Sequence, residues 1–188
     1  RAQLNPHFMF NALNGIRALI DEDPARAKQA ITQLSSILRN AMATVKRRTV
    51  PLGEELDIVK AYLELERMRF EERLRTRFEV DPALEREPVP PMLLQTLVEN
   101  AVRHGIARLT EGGEVVVGAQ RGVNGIVLSV RNSGEYTPGQ VNGSGIGLAG
   151  TRKRLAMIYG ESAALHISNR DGMVVTEVEL PAQDTSLS

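Results

Sequence analysis

The 188-residue chain carries 23 Lys and Arg against 23 Asp and Glu, so its formal net charge is zero, and 42% of it is hydrophobic. That balance excludes the broad basic field that binds duplex nucleic acid, and no direct nucleic-acid contact is expected. The absence of cysteine excludes disulfides, thiolate metal sites and cysteine nucleophiles, and no apolar run approaches the ~20 residues that span a bilayer.

The chain opens on Arg1, already within a helical pattern, which reads as a piece of a longer protein whose sensor or membrane part lies upstream. Over residues 3–20, Leu4, Phe8, Ala12, Ile16 and Ile20 fall on one stripe, with His7, Asn11 and Asn14 on a neighbouring polar one. Asp23 is placed to cap a second helix whose first residue is Pro24. There Ile31, Leu34, Leu38, Ala41 and Val45 recur in steps of three and four, the seam of a coiled-coil-like bundle. Two helices cannot cover such wide apolar faces, so the hairpin is expected to pair with a copy of itself as a four-helix bundle, making a homodimer. "KRRTVP" is a linker, with the join near residues 46–52, and "LGEELDIVKAYLELERMRFEERL" reads as a third helix.

A strand at "RTRFEV" and the proline-rich "REPVPP" come next, followed by a helix from about Met92 to Gly105. "EVVVGAQ" and "GIVLSVRN" alternate as a hairpin, a glycine-rich loop leads into the helix "IGLAGTRKRLAMIYG", and "AALHISN" and "MVVTEVEL" form a last hairpin across "RDG". The predicted class is α+β, helices first and a mixed α/β section second.

Three stretches could carry chemistry. In "LVENAVRHG", Asn100 and His104 are one helical turn apart, as are Glu99 and Arg103, so acid, amide and cations could converge on one edge. An asparagine oxygen is a hard ligand suited to Mg²⁺, and Glu99 could orient a nucleophile or accept its proton. An ordinary exposed helix with a Glu99–Arg103 ion pair fits the same residues. In "NGSGIGL", Gly143, Gly145 and Gly147, interleaved with Ile146 and Leu148, let backbone amides approach an anion just before a helix N-terminus; a plain flexible loop is the alternative. The loop follows an antiparallel hairpin and no lysine closes it, which excludes dinucleotide-binding and Walker loops. Between them "VRNSG" could read an adenine edge through Asn132 or simply end a strand.

The order of these motifs resembles the GHKL ATPases. "NPHFMFN", "PPMLLQTLVENAVRHG" and "GIGLAGTRKRLAMIYG" are similar to the LytS/YehU-like sensor histidine kinases, over residues 3–181. The resemblance implies dimerisation and phosphoacceptor helices at 1–46, an ATP-binding GHKL-type (Bergerat) α/β sandwich with a mixed sheet at 47–183, and a tail at 184–188. It implies His7 as phosphoacceptor, Asn100 as Mg²⁺ ligand and Glu99 as the neighbouring acid. His104 would contact phosphate, with Arg103 beside it, and Gly143, Gly145, Ile146, Gly147 and Leu148 would form the loop at the phosphates. Asn132 and Gly134 would read adenine, although the wider superfamily usually has aspartate where Asn132 stands.

ATP and Mg²⁺ are the implied cofactors. The implied partner is a response-regulator aspartate, by resemblance on a LytTR-type regulator, and the implied setting is the cytoplasmic side of an inner- or plasma-membrane protein. At His7 a largely neutral imidazole offers a lone pair to phosphorus. Most histidine kinases place an acid directly after the histidine, whereas this chain has Phe8. The orienting or proton-accepting role then falls to Asn11, one turn on, or to Glu99. Pro6 is expected to bend the helix and expose His7. A GHKL ATPase clamp, or a scaffold that binds nucleotide without phosphotransfer, is the rival reading.

Overall fold

Asp23 ends one helix and starts the next: its backbone N–H donates to Leu19, and its Oδ1 accepts from the amide of Arg26 at 3.2 Å. The computed structural model describes residues 6–43, 46–138 and 145–182, without the side chains of 6, 7 and 145–147. Helix α1 covers Pro6–Glu22 and α2 covers Pro24–Ala43. Leu4 and Val45 lie outside the described residues, and the bend expected at Pro6 falls at their limit.

The hairpin does not wait for a second copy to bury its main faces. Helix α3 (Leu52–Phe70) packs against both α1 and α2, covering Phe8, Ala12 and Ile16 of α1 and Ala27, Ala30, Leu34 and Ile37 of α2. Phe8 stacks on Tyr62 of α3, ring centroids 4.7 Å apart and planes tilted by 52°. This corrects the expected α2 seam: Ile31 is 49% exposed and Ile37 is fully buried, because the face is set by α3 of the same chain. Since α3 meets the hairpin on one side and α4 (Leu93–His104) and β2 (Leu74–Val80) on the other, it is buried almost all round. Its polarity pattern is correspondingly weak.

A short strand β1 (Val50–Pro51) pairs antiparallel with β3 (Pro88–Val89). The main sheet comprises β2 (Leu74–Val80), β4 (Gly113–Arg121), β5 (Gly125–Ser133), β6 (Ala164–Arg170) and β7 (Met173–Pro181), in spatial order β2-β4-β5-β7-β6. β2 runs parallel to β4 and every other pairing is antiparallel, so the sheet is mixed as expected. The parallel step needs a crossover, and it contains α4 (Leu93–His104). Helix α5 (Gly145–Tyr159) crosses from β5 to β6.

Register decides which side chains meet these helices. Ile126, Leu128, Val130 and Asn132 of β5 lie opposite Leu180, Val178, Thr176 and Val174 of β7, and all four β5 residues are buried. Each fully buried Leu, Ile or Val on that face contributes about 1.5–3 kcal/mol. The other face is charged: Glu79 accepts from Arg131 at 2.7 Å and pairs with Arg77 at 3.2 Å, and Arg77 also reaches Glu114 at 3.3 Å. A sheet with one apolar face and one salt-bridged face positions its helices on one side only.

Candidate functional site

Asn132 continues the inward series of β5, so a polar amide is planted at the core-facing end of a strand, 6% exposed. Its Nδ2 donates to the Ser133 carbonyl at 3.0 Å. Gly134 follows at φ 122°, a conformation L side chains rarely adopt, and its N–H donates to Gly172 at 3.3 Å. The next turn is clamped by Asn169 of β6, whose side chain accepts from the Tyr136 amide at 2.8 Å and donates to its carbonyl at 2.7 Å.

Above this strand end lies α4. Leu97, Asn100, Ala101 and His104 from α4 meet Asn132, Tyr136, Leu148, Ile167, Val174 and Thr176 around one cleft, about 660 Å³ of open space including its mouth. Asn100, His104, Asn132 and Leu148 thus come together from three distant stretches. Gly143 lies outside the described residues. Gly145, Ile146 and Gly147 are described only as the backbone of the first turn of α5.

The Asn100 amide nitrogen is buried without a hydrogen-bond partner, so this side chain holds polar capacity the chain leaves unused at the edge of the cleft. With a hard amide oxygen on the same group, the donor set fits a magnesium ion that is completed by phosphate and water. The apolar walls of Leu97, Ala101, Leu148, Ile167 and Val174 suit a flat base. His104 is pushed below its ordinary value by burial, then by the charges of Arg103 and Arg108, so at neutral pH it meets a ligand as a neutral imidazole.

The convergence of acid, amide and cations on one edge does not occur. Glu99 is turned toward Tyr62 and Glu66 of α3, and Gln95, one turn earlier on α4, donates to it through Nε2 at 3.1 Å. Burial raises its carboxyl to about 7, the nearby Glu66 charge adding to the effect while the Gln95 hydrogen bond and Arg103 oppose it. Arg103 and Asn11 line a second hollow with Phe8, Tyr62, Glu66, Arg69 and Val102. Consecutive helical residues are about 100° apart, so the 99/103 pair and the 100/104 pair look in different directions.

Sequence reasoning missed Thr176, Tyr136 and Arg108 as lining residues. Thr176 carried a signal: it is a polar residue in phase with the inward positions Val174, Val178 and Leu180. Among the described residues no cluster of three or more His, Cys, Asp or Glu could hold a metal.

A family model described as histidine kinase matches residues 1–74. Sensor protein LytS of Enterococcus faecalis is 32% identical over 200 residues, spanning 100% of this chain and 34% of that protein. Sensor histidine kinase BtsS of Escherichia coli K12 is 35% identical over 187 residues, spanning 97% of this chain and 33% of that protein. The chain belongs to the LytS and BtsS family of sensor histidine kinases. It spans about a third of the length of these relatives.

Solved histidine kinases share the fold. The catalytic domain of ThkA superposes with a TM-score of 0.57 at 22% identity, over 71% of this chain and 95% of that one. The kinase domain of the blue-light activated histidine kinase EL346 from Erythrobacter litoralis gives 0.54 at 13% identity, over 94% and 96%. Family membership accounts for the α+β order, helices before a mixed five-stranded sheet.

Proposed function

We propose that this chain is the cytoplasmic kinase portion of a two-component sensor, transferring the γ-phosphoryl group of ATP to His7 and from there to an aspartate of a response regulator. The observation that carries this reading is the convergence of Asn100, His104, Asn132 and Leu148 on one cleft, each from a motif that the family resemblance assigns to nucleotide. Asn132 would accept from the adenine amino group through its oxygen, without the formal charge of an aspartate. Gly134 permits the turn beneath it, and His104 with the loop at 143–147 would meet the phosphates. Asn100 would hold Mg²⁺, which supplies charge neutralisation on the phosphates when bound.

In the transfer, the bond from the γ-phosphorus to the ADP oxygen breaks and a bond to an imidazole nitrogen forms. The ring's proton passes to a base. Asn11 would orient the ring, and the Glu99 carboxylate would take the proton once its side chain turns from α3 to the cleft edge. Positioning supplies most of the catalysis. Because Asn11 lines the hollow on the Arg103 side of α4, α1 must leave that seat, or serve a second chain, for His7 to reach the cleft.

A homodimer is part of the proposal: Phe10 is 67% exposed, Leu13 51%, Ile20 52% and Met42 76%, an apolar remainder on the hairpin that a second copy would cover. The solved complex of ThkA with the response regulator TrrA supports a receiver-domain partner, which we assign to a LytTR-type regulator. Among the described residues no helix is long and apolar enough to cross a membrane; the anchor is assigned to the part of the protein outside this chain.

Incubation with γ-labelled ATP and Mg²⁺ separates the readings. The kinase retains acid-labile, alkali-stable label that His7→Ala abolishes. Free phosphate with unlabelled protein would instead indicate an ATPase clamp, and bound nucleotide with neither product a scaffold.

A further inference from the structure

The linker from the helical hairpin enters the fold where α4 begins. Val50 pairs with Val89 and Pro51 with Pro88, and the amides of Leu52 and Gly53 donate to Glu87 and Glu85, each at 2.8 Å. Just beyond, Glu55 turns inward and is 1% exposed. Its carboxylate faces the amides of Met92, Leu93 and Leu94, yet neither oxygen makes a hydrogen bond of normal geometry. Met92, the residue before α4, has φ 63° and no side-chain cap, so Glu55 approaches a helix start that supplies no cap of its own. From the far side comes Arg154 of α5, which donates to the Pro91 carbonyl and whose charge acts on Glu55. Arg48 of the linker donates to the Ile158 carbonyl at 3.2 Å, one turn beyond Arg154 on α5.

A carboxylate is a costly filling for this space. Burial raises Glu55 to about 7, and the α4 amides and Arg154 only partly oppose it. A glutamine would fill the same volume without that cost, so a charge placed where three helices meet points to a role other than stability.

We propose that Glu55 and Arg154 are positioning residues for the nucleotide cleft: together they tie α3 and α5 across the first turn of α4, and so set the spacing between Asn100 on α4 and Leu148 on α5. The inference rests on the nucleotide reading of that cleft. Charged Glu55 draws the α4 amides and Arg154 inward; neutral Glu55 releases them. Among the described residues Arg154 is the charge that acts on Glu55, and Tyr159 acts in turn on Arg154. Because α3 follows the linker directly, movement of the hairpin reaches both nucleotide helices through this joint. Nucleotide binding, by linkage, favours the charged form.

The test compares the whole chain with Glu55→Gln, which reproduces the neutral form. At pH 8, Glu55→Gln binds Mg-ADP about fivefold or more weakly, while at pH 6 the two proteins bind alike. Without nucleotide, the amide signals of Leu93 and Leu94 and the side-chain amide signal of Asn100 shift between pH 6 and 8, and Glu55→Gln removes that part of the shift. Equal affinity at both pH values overturns the proposal, as does an equal loss at both. Should the unmodified chain bind no nucleotide, the functional reading falls, and an Asn100 signal indifferent to Glu55→Gln then overturns the joint separately.

Discussion

The Cβ that Gly105 lacks would fall on the side-chain amide of Asn132: an added methyl there meets Asn132 Nδ2 in hard overlap, Asn132 Cγ at 2.9 Å and the Ala101 carbonyl at 2.6 Å. The end of α4 and the end of β5 are therefore in contact because residue 105 has no side chain. Gly105→Ala must displace either Asn132 or the last turn of α4. Overpacking of this kind costs about 1–3 kcal/mol, read by urea denaturation, and calorimetry is expected to show at least a tenfold loss of ATP affinity. An alanine variant that binds ATP as well as the parent would separate Asn132 from base recognition.

Asn100 is expected to act only through the metal. Asn100→Ala should leave thermal stability within about 1 kcal/mol, since the side chain makes no hydrogen bond through its nitrogen, and should abolish the gain in nucleotide affinity that Mg²⁺ confers. Titrations with Mg²⁺ and with EDTA measure that difference. A variant that keeps the full magnesium effect would move the ion to other ligands.

Phe8 anchors α1 on α3. Removing its ring takes away a side chain that is 3% exposed and in contact with Tyr62, a change that costs about 3–5 kcal/mol in a packed core. Hydrogen exchange on Phe8→Ala should show α1 losing protection while β4 and β5 keep theirs, because among the described residues the hairpin packs chiefly on α3. Uniform loss across the sheet would mean that α1 is integral to one cooperative unit.

Glu55 gives a pH prediction with a definite sign. Its folded value of about 7 lies above the ordinary 4.5, so between those values the folded chain holds a proton that the unfolded chain has released. Stability is full below the lower value, declines as pH rises, and levels off above the upper one. The full shift corresponds to about 3 kcal/mol. Glu55→Gln should therefore match the parent at pH 4.5 and exceed it in stability at pH 8, as seen in melting temperatures across that range. A variant less stable than the parent at pH 8 would show that the ionised carboxylate is a net stabiliser.

The sequence and the structure agree wherever periodicity met a single partner. Asp23 and Pro24 announce their helix boundary, and the alternation Ile126, Leu128, Val130 announces a strand with one buried face. Ile37 and Ile31 were not distinguishable by spacing, because which of them is buried depends on α3, an element too evenly patterned to declare its faces. Asn100 and Asn132 could be marked from their motifs, and their meeting in one cleft follows from the crossover that lays α4 over β5. Glu99 was misplaced with them: adjacency in sequence suggested a shared edge, whereas helical geometry turned it toward Gln95 and α3. Glu55 gave no signal at all, since a glutamate among interleaved charges reads as solvated until α4 and α5 are seen to close over it.

The central claim is a phosphorylated imidazole at His7, and site mapping tests it most directly. After incubation of the chain with Mg-ATP at mildly alkaline pH, fragmentation of its peptides by a method that preserves phosphoramidates should place the added phosphate on His7 and nowhere else. Phosphate on a serine or threonine, or none despite bound ATP, would contradict the account.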